Sequence, residues 1–448
     1  MLENQSICLL NDSFPPLIDG VANTVVNYAN ILHDNGHPVV VATPRYPGPI
    51  EEYPYPVIRY RSLNTTKLVG YRAGYPFSMS ALSKIQKENV GLIHSHCPIM
   101  STLLARTLRE IINAPIVFTY HSKFDVDFAQ ALKFGWIEKA AIKVLVNNIS
   151  ACDEVWVVSQ GAGENLRGLG YEGDYRVMHN GVDFPKRRAG EQQIEAVSLA
   201  HHLQADVPVF LFVGRIKWYK GLKLILDALG ILKQHQFHCR MIFVGDGDEL
   251  DEVKQYAERI GVMPSCIFTG AIRDREQLRA YFSRANLFLF PSAYDTNGIV
   301  VREAAACALG SVLLRGSCAA EDVQDGRNGI FIDETAQSLA AALLSIGGNF
   351  DAMAALGRRA QDEIYIAWQD SVQTAWSRYQ VVLDQYQGKH RKSNSVFDYD
   401  VELLFRAVAQ VYEGMDRMRR TKTSIQRHTR TLGAQVAEKL DRHKPEQQ

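Results

Sequence analysis

Long hydrophobic runs are missing from this sequence of 448 residues, in which no stretch approaches the ~18 apolar residues that a membrane-spanning helix needs. Residues 1–11 also lack the basic segment that opens a secretory signal. An excess of one charge is missing as well, because 49 Lys and Arg balance 49 Asp and Glu, and this removes any general attraction to nucleic acid. We therefore expect a cytoplasmic protein without a nucleic-acid partner, at most peripheral on the inner face of a membrane.

Paired cysteines and the common catalytic signatures are absent too. The seven cysteines are scattered and never form a CxxC pair, which favours a reduced compartment. No Walker, HExxH, GxSxG or Cys-His signature occurs. Only His94 and His96 have a spacing typical of metal ligands, and we expect no metal there because no further ligand pair is evident.

What is present is a regular alternation of short apolar runs with longer helical patterns, which is typical of βαβ units. Strand candidates run from residues 7–10 to 175–178, and a second set runs from 207–213 to 330–332. The sequence thus predicts an α/β protein with two doubly wound, Rossmann-like domains. Because residues 180–206 lose the strand rhythm, we predict domains at 1–185 and 186–388, with a helical, basic extension at 389–448.

The extension holds 13 Lys and Arg against 8 Asp and Glu, and its apolar residues from Val401 to Met418 follow a heptad spacing. Homo-oligomerisation through these C-terminal helices is the favoured hypothesis; contact with anionic lipid or a solvated appendage are the alternatives. Residues 133–143 join aromatic and basic side chains, as a membrane-interface helix would, although a half-buried surface helix has the same pattern.

The sharpest constellation follows the strand candidate at residues 287–290. Two acids, Asp295 and Glu303, are separated by seven residues, and Gly298 lies where a helix is expected to begin. Free N–H groups at a helix start bind phosphate, while carboxylates accept hydrogen bonds from sugar hydroxyls and from a ribose diol. The alternative is a strand, loop and helix with two solvated acids.

A second constellation follows the strand candidate that ends at Val213. Arg215 and Lys220 lie five residues apart in the loop, where they could clamp two linked phosphates. Solvated surface cations are the alternative, but positive charge beside a helix start is unfavourable, which favours an anion site. In the first half, the loop containing Gly20 and the strand-end residue His121 are weaker signals for sugar binding.

With these residues in place, the sequence resembles the retaining GT-B glycosyltransferases of family 4, also called glycosyltransferase group 1, over roughly residues 5–385. The resemblance implies that Arg215 and Lys220 bind the donor diphosphate, that Asp295 binds the transferred sugar near His121, and that Glu303 binds the ribose. Further donor-binding residues implied by the resemblance are Gly20, Gly214, Gly247, Gly270, Asn297, Gly298, Ile299 and Val300. Asp295 stands where the family usually has Glu, and Asn297 where it usually has a bulky apolar residue.

The resemblance also implies a last helix, within residues 364–386, that returns to the first domain. It implies a reaction that retains anomeric configuration and needs neither metal nor cofactor. The expected substrates are a UDP- or GDP-linked sugar and a lipid or envelope-glycan acceptor. A sugar-nucleotide epimerase and a non-catalytic GT-B scaffold subunit remain the alternatives.

Overall fold

The computed structural model describes residues 5–17, 19–66, 71–121 and 135–386. Its first half is a seven-stranded parallel sheet with the order β3-β2-β1-β6-β7-β8-β9. These strands and a small antiparallel hairpin are β1 (Ser6–Leu10), β2 (Val39–Pro44), β3 (Val57–Tyr60), β4 (Ser62–Leu63), β5 (Ala73–Gly74), β6 (Val90–Ser95), β7 (Ile116–Tyr120), β8 (Glu154–Val157) and β9 (Arg176–Val177). The helices are α1 (Gly20–Asp34), α2 (Met79–Lys87), α3 (Met100–Ile112), α4 (Gly135–Ser150) and α5 (Gln160–Gly168).

The second half is a six-stranded parallel sheet with the order β12-β11-β10-β13-β14-β15. Its strands are β10 (Val209–Val213), β11 (Arg240–Val244), β12 (Cys266–Gly270), β13 (Leu287–Phe290), β14 (Ser311–Leu314) and β15 (Gly329–Ile332). The helices are α6 (Glu191–Ala200), α7 (Leu222–Gln234), α8 (Leu250–Arg259), α9 (Arg275–Arg284), α10 (Ile299–Ala306), α11 (Ala336–Ile346), α12 (Phe350–Glu363) and α13 (Trp368–Gln385).

Continuous burial explains why these segments form parallel strands. All five residues of β10, with the sequence VFLFV, are buried, as are all five of β7. A strand covered on both faces loses the alternation of polar and apolar residues and reads as an apolar run. The predicted fold class of two doubly wound, Rossmann-like sheets is therefore confirmed.

The last described helix, α13, leaves the second half and packs against the first sheet. Its Trp368, Val372 and Tyr379 are buried in one cluster with Ile7 of β1 and Val25 of α1. The expectation that residues 364–386 return to the first domain is thus confirmed. Because of this crossing, one helix fixes the two sheets to each other.

Within the described residues, no single helix is long and apolar enough to cross a membrane, although α11 and α12, bent by 108°, pass that test as a pair. The seven cysteines all lie in described ranges, and none forms a disulfide. The heptad pattern of the extension and the start of the 133–143 stretch lie outside the described residues.

The strand orders locate the site. In each sheet the order reverses at one point, between β1 and β6 and between β10 and β13. Ligands of open α/β sheets bind beyond the carboxyl ends of the strands at such points. The loops after β10 and β13 hold the two sequence constellations, and His121 follows β7 in the first sheet.

Candidate active site

Hydrogen bonds join the carboxyl edges of the two sheets. Thr296, in the loop after β13, donates from Oγ1 to the backbone carbonyl of His121 over 2.9 Å. Ser159, which precedes α5, donates from Oγ to the carbonyl of Thr296 over 2.5 Å. The loop that holds Asp295 therefore lies against the end of β7, close to His121.

Lys220 and Asp295 form an ion pair between the two constellations. Lys220 closes a 3₁₀ turn at Trp218–Lys220, after β10, and its Nζ lies 5.6 Å from the ring centre of Phe290 at the end of β13. The side chains of Lys220 and Asp295 are only 15% and 22% exposed. The alternative of a solvated acid at Asp295 is therefore wrong, and the structure brings together two residues that the sequence placed 75 positions apart.

The start of α10 offers unused hydrogen-bond donors. Gly298 has φ of 58°, and a Cβ there would lie 2.9 Å from the Cα of Ala319, so this turn requires glycine. No side chain caps the helix, which leaves the first N–H groups, at Ile299 and Val300, without a capping acceptor. Both polar atoms of the Asn297 amide are buried and have no partner among the described residues. Such a concentration of unpaired polar groups is expected where a ligand supplies the missing partners.

Glu303 faces a partner that the sequence analysis missed. Its side chain is 12% exposed, and Oε1 accepts a hydrogen bond from Nη2 of Arg275 at 2.6 Å. The Arg275 guanidinium lies 4.3 Å from the ring centre of Phe184, which holds it in place. Burial raises the pKa of Glu303, whereas the charge and hydrogen bond of Arg275 lower it. The carboxylate is thus oriented rather than solvated.

Arg215 and the neighbouring glycines occupy the loops after β10 and β11. Arg215 is exposed and makes no ion pair or hydrogen bond with any residue in the described ranges. A Cβ on Gly247 would lie 2.3 Å from the carbonyl oxygen of Ile216, so this glycine allows the two loops to touch. Gly214 and Gly270 have positive φ values of 157° and 74°. Close packing accounts for Gly247 and the left-handed backbone for Gly270, while the donor-binding role of these glycines stays a prediction.

Gly20 is the first residue of α1, in the segment that follows the carboxyl end of β1. The helix is already capped, because Asp19 accepts a hydrogen bond from the N–H of Ala22 at 2.7 Å and another from Ser13. A Cβ on Gly20 would meet nothing within 4 Å. In the same loop, Asp12 is buried, and burial raises its pKa to about 6. Gly20 thus borders open space, while its proposed contact with the donor stays a prediction.

Three histidines meet beneath the cleft. Nδ1 of His96 lies 2.9 Å from Nε2 of His121, and the ring centre of His94 lies 4.0 Å from that of His96. Burial lowers the pKa of His121 to about 3 and that of His94 and His96 well below the usual value. Among the described residues, no group of three or more His, Cys, Asp or Glu is placed to hold a metal ion.

Two further contacts were not foreseen, and the first of them joins the two halves. Both carboxylate oxygens of Glu321 accept hydrogen bonds, each 2.6 Å long, from the first N–H groups of α5. Arg302, which is 4% exposed, binds Asp322 and donates to the carbonyl of Ile364, where the chain turns towards α13. The sequence did contain a signal for the Arg302 contact. Arg302 and Glu303 lie inside the otherwise apolar helix IVVREAAA, and charged side chains on a buried helix need partners.

Two family models match the chain. The model of glycosyltransferase family 4 matches residues 18–185, and the model of glycosyl transferases group 1 matches residues 195–362. A structural comparison gives a TM-score of 0.66 with HepE from Anabaena, solved in complex with UDP and glucose, at 18% identity, covering 84% of this chain and 100% of the other. At this identity the structural match shows the fold alone.

Two curated proteins of similar sequence illustrate the family. Sulfoquinovosyl transferase SQD2 of Arabidopsis thaliana is 26% identical over 70% of this chain, and the match spans only 61% of that protein. Alpha-monoglucosyldiacylglycerol synthase of Acholeplasma laidlawii is 24% identical over 79% of this chain and 91% of its own length. With both family models in chain order on two Rossmann-like halves, the chain belongs to the family 4 glycosyltransferases and is a glycosyltransferase with the GT-B fold.

Proposed function

We propose that the chain moves a hexosyl group from a UDP- or GDP-linked sugar to a hydroxyl of a lipid or envelope glycan, with retention of anomeric configuration and without a metal. The observation that carries this proposal is the meeting of Lys220, Asp295 and the uncapped start of α10 at one carboxyl edge, with His121 joined to them by Thr296. The site thus presents cations and N–H groups for a diphosphate beside carboxylates for sugar hydroxyls.

On the donor side, Arg215 and Lys220 bind the diphosphate together with the N–H groups at Asn297–Val300. The negative charge on the diphosphate grows as the bond to the sugar breaks, so donors fixed in advance stabilise the transition state more than the ground state. The free guanidinium of Arg215 and the unpaired amide of Asn297 are available for this purpose. No metal is needed in this scheme, because the cations of the chain supply the charge.

On the sugar side, Asp295 accepts hydrogen bonds from hydroxyls of the transferred hexose. Its contact with Lys220 holds the carboxylate between the sugar and the diphosphate positions. Glu303, which Arg275 orients, accepts hydrogen bonds from the two hydroxyls of the ribose. His121 contacts the hexose from the first domain. The acceptor hydroxyl attacks from the face that the diphosphate leaves, so the product keeps the anomeric configuration.

The name of one relative favours a lipid acceptor, since alpha-monoglucosyldiacylglycerol synthase is named for a glycosylated diacylglycerol. An acceptor of this kind requires work at a membrane surface. We therefore place the protein in the cytoplasm, in peripheral contact with the inner face of the membrane.

The test incubates the purified chain with radiolabelled UDP- and GDP-sugars and a bacterial membrane extract. We expect label in the lipid or glycan fraction, unchanged turnover in EDTA, and the donor's anomeric configuration in the product by NMR. Lys220→Ala and Arg215→Ala should each lower transfer at least about 10²-fold, while Lys223→Ala, at a nearby exposed lysine on α7, should not. Inverted product or dependence on a metal would overturn the mechanism.

Two further measurements test the alternatives, an epimerase and a scaffold subunit. Interconversion of the nucleotide sugar without any acceptor would indicate an epimerase. Absence of heat on titration with UDP and GDP would indicate a scaffold subunit, since that function needs no donor.

A further inference from the structure

The buried side chain of His96 has no role in the proposed reaction. It follows β6, and His121 follows β7, which pairs with β6 in parallel register. The two imidazoles therefore leave the carboxyl edge side by side, with ring planes inclined by 25° and ring nitrogens 2.9 Å apart. His96 is 3% exposed and His121 is 8% exposed, so water does not separate them.

Only one proton can lie between these two nitrogens. Burial lowers the pKa of both rings, so each is neutral near pH 7 and carries one N–H. Either Nδ1–H of His96 donates to Nε2 of His121, or Nε2–H of His121 donates to Nδ1 of His96. In the first arrangement both rings carry their single proton on Nδ1, and in the second both carry it on Nε2.

The remaining nitrogen of His96 distinguishes the arrangements. Nε2 of His96 is buried and has no hydrogen-bond partner among the described residues. If His121 were the donor, this nitrogen would carry an N–H buried without an acceptor, which folded proteins rarely tolerate. If His96 is the donor, Nε2 is only an unused lone pair, which is the less costly of the two.

We propose that His96 is a positioning residue for His121: its Nδ1–H donates to Nε2 of His121 and so fixes the ring proton of His121 on Nδ1, as a hydrogen-bond donor towards the bound hexose. The role in catalysis rests on the function proposed above, but the tautomer does not. An N–H of this kind donates a hydrogen bond to a hydroxyl oxygen of the sugar. A ring nitrogen without a proton could only accept a hydrogen bond from that hydroxyl.

The ring of His96 is itself held in place. His94 packs against it at 4.0 Å between ring centres, and both nitrogens of His94 are engaged, by the hydroxyl of Tyr379 at 2.6 Å and by that of Thr119 at 2.7 Å. Tyr379 belongs to α13, the helix that crosses from the second half. The crossing helix α13 thus contacts His94, which packs against His96, the residue that contacts His121.

The direct test is long-range ¹H–¹⁵N NMR of the full chain labelled at histidine nitrogens, with His121→Ala used only to assign the signals. We expect a protonated Nδ1 and a bare Nε2 for His121. A protonated Nε2 on His121 in the wild-type chain would overturn the proposal, whether or not the chain proves to be a transferase.

Kinetics test the consequence. His96→Leu removes the donor, whereas His96→Asn can place an amide N–H near the position of Nδ1. We expect His96→Leu to lower kcat about tenfold, the rate equivalent of one ordinary hydrogen bond, with the donor KM changed less than threefold. His96→Asn should restore most of that loss.

The matched control is His37→Leu, since that ring stacks on Trp376 at 3.5 Å and lies outside the cluster. It should leave both kcat and the signals of His121 unchanged. An equal loss of rate in His96→Leu and His96→Asn, with both variants folded by circular dichroism, would show that shape rather than proton donation matters and would overturn the positioning role.

Discussion

The ion pair between Lys220 and Asp295 predicts how catalysis responds when either partner is removed. Lys220→Met deletes the cation but keeps most of the alkyl chain against Phe290. Without a ligand, Asp295 then loses its partner; with a donor bound, the departing diphosphate loses a preorganised charge. Asp295→Asn does the reverse, because it removes the charge that pairs with Lys220 and leaves only one side-chain oxygen to accept from the sugar hydroxyls.

Two magnitudes separate the effect on catalysis from the effect on folding. Loss of one preorganised donor to a developing charge costs about 3 kcal/mol of barrier, so kcat of Lys220→Met should fall roughly 10²-fold. Because the side chains of the pair are only 15% and 22% exposed, leaving Asp295 without its partner should cost about 1–3 kcal/mol of stability, which urea unfolding measures beside kcat.

The assay is a double-mutant cycle on kcat with both single variants and the double variant. Because both side chains act on one bound donor, we expect the double variant to lose much less than the product of the two single losses. Lys223→Met and Asp227→Asn form the control, since they remove an exposed Lys–Asp pair three residues further along the chain. If Lys220→Met kept kcat within threefold of the wild-type value, the assignment of Lys220 to the leaving group would be wrong.

Three further predictions follow from buried or bridging charges. The raised pKa of Asp12, about 6, means that the folded state binds its proton more tightly than the unfolded chain. Ionisation of Asp12 therefore lowers the stability of the fold as the pH rises from about 4 to 6. Asp12→Asn can still accept a hydrogen bond from Ser101, and in urea unfolding it should be up to roughly 3 kcal/mol more stable than wild type at pH 7.5 but little more stable at pH 4. An equal gain at both pH values would contradict this prediction. Glu321→Gln weakens the carboxylate cap on α5, so the donor KM should rise about fivefold and the radius of gyration by small-angle scattering should increase, because about 1 kcal/mol of closure is lost. Arg275→Met leaves Glu303 without its orienting partner, so the affinity for UDP or GDP in calorimetry should fall about tenfold, and an unchanged affinity would place the ribose elsewhere.

Much of the fold could be predicted because apolar runs of four to six residues recur between helical patterns. Helix α5 shows where local pattern is a weak guide. Its sequence, QGAGENLRG, contains three glycines and looks unfavourable for a helix. Gly163 is required by packing, since a Cβ there would lie 2.3 Å from the ring of Tyr175. Tertiary contacts thus decide against local propensity.

The candidate site divides in the same way. Asp295, Glu303, Arg215 and Lys220 could be found because each lies just beyond a strand end or on the helix that follows. The partners could not, because they come from distant parts of the chain: Thr296 reaches His121 over 175 positions. No local pattern encodes such a contact. It follows from the apposition of two sheets, which the crossing of α13 fixes.

Consecutive residues of one loop make three different contacts, and we infer that these contacts couple donor binding to domain closure. Asp295 binds Lys220, Thr296 binds the carbonyl of His121, and Asn297 and Gly298 form the open end of α10. A donor that orders this loop therefore also favours the contact with the first domain. By linkage, whatever stabilises that contact must raise donor affinity by the same factor. We therefore expect donor binding to stabilise the contact between Thr296 and His121 that the structure already contains.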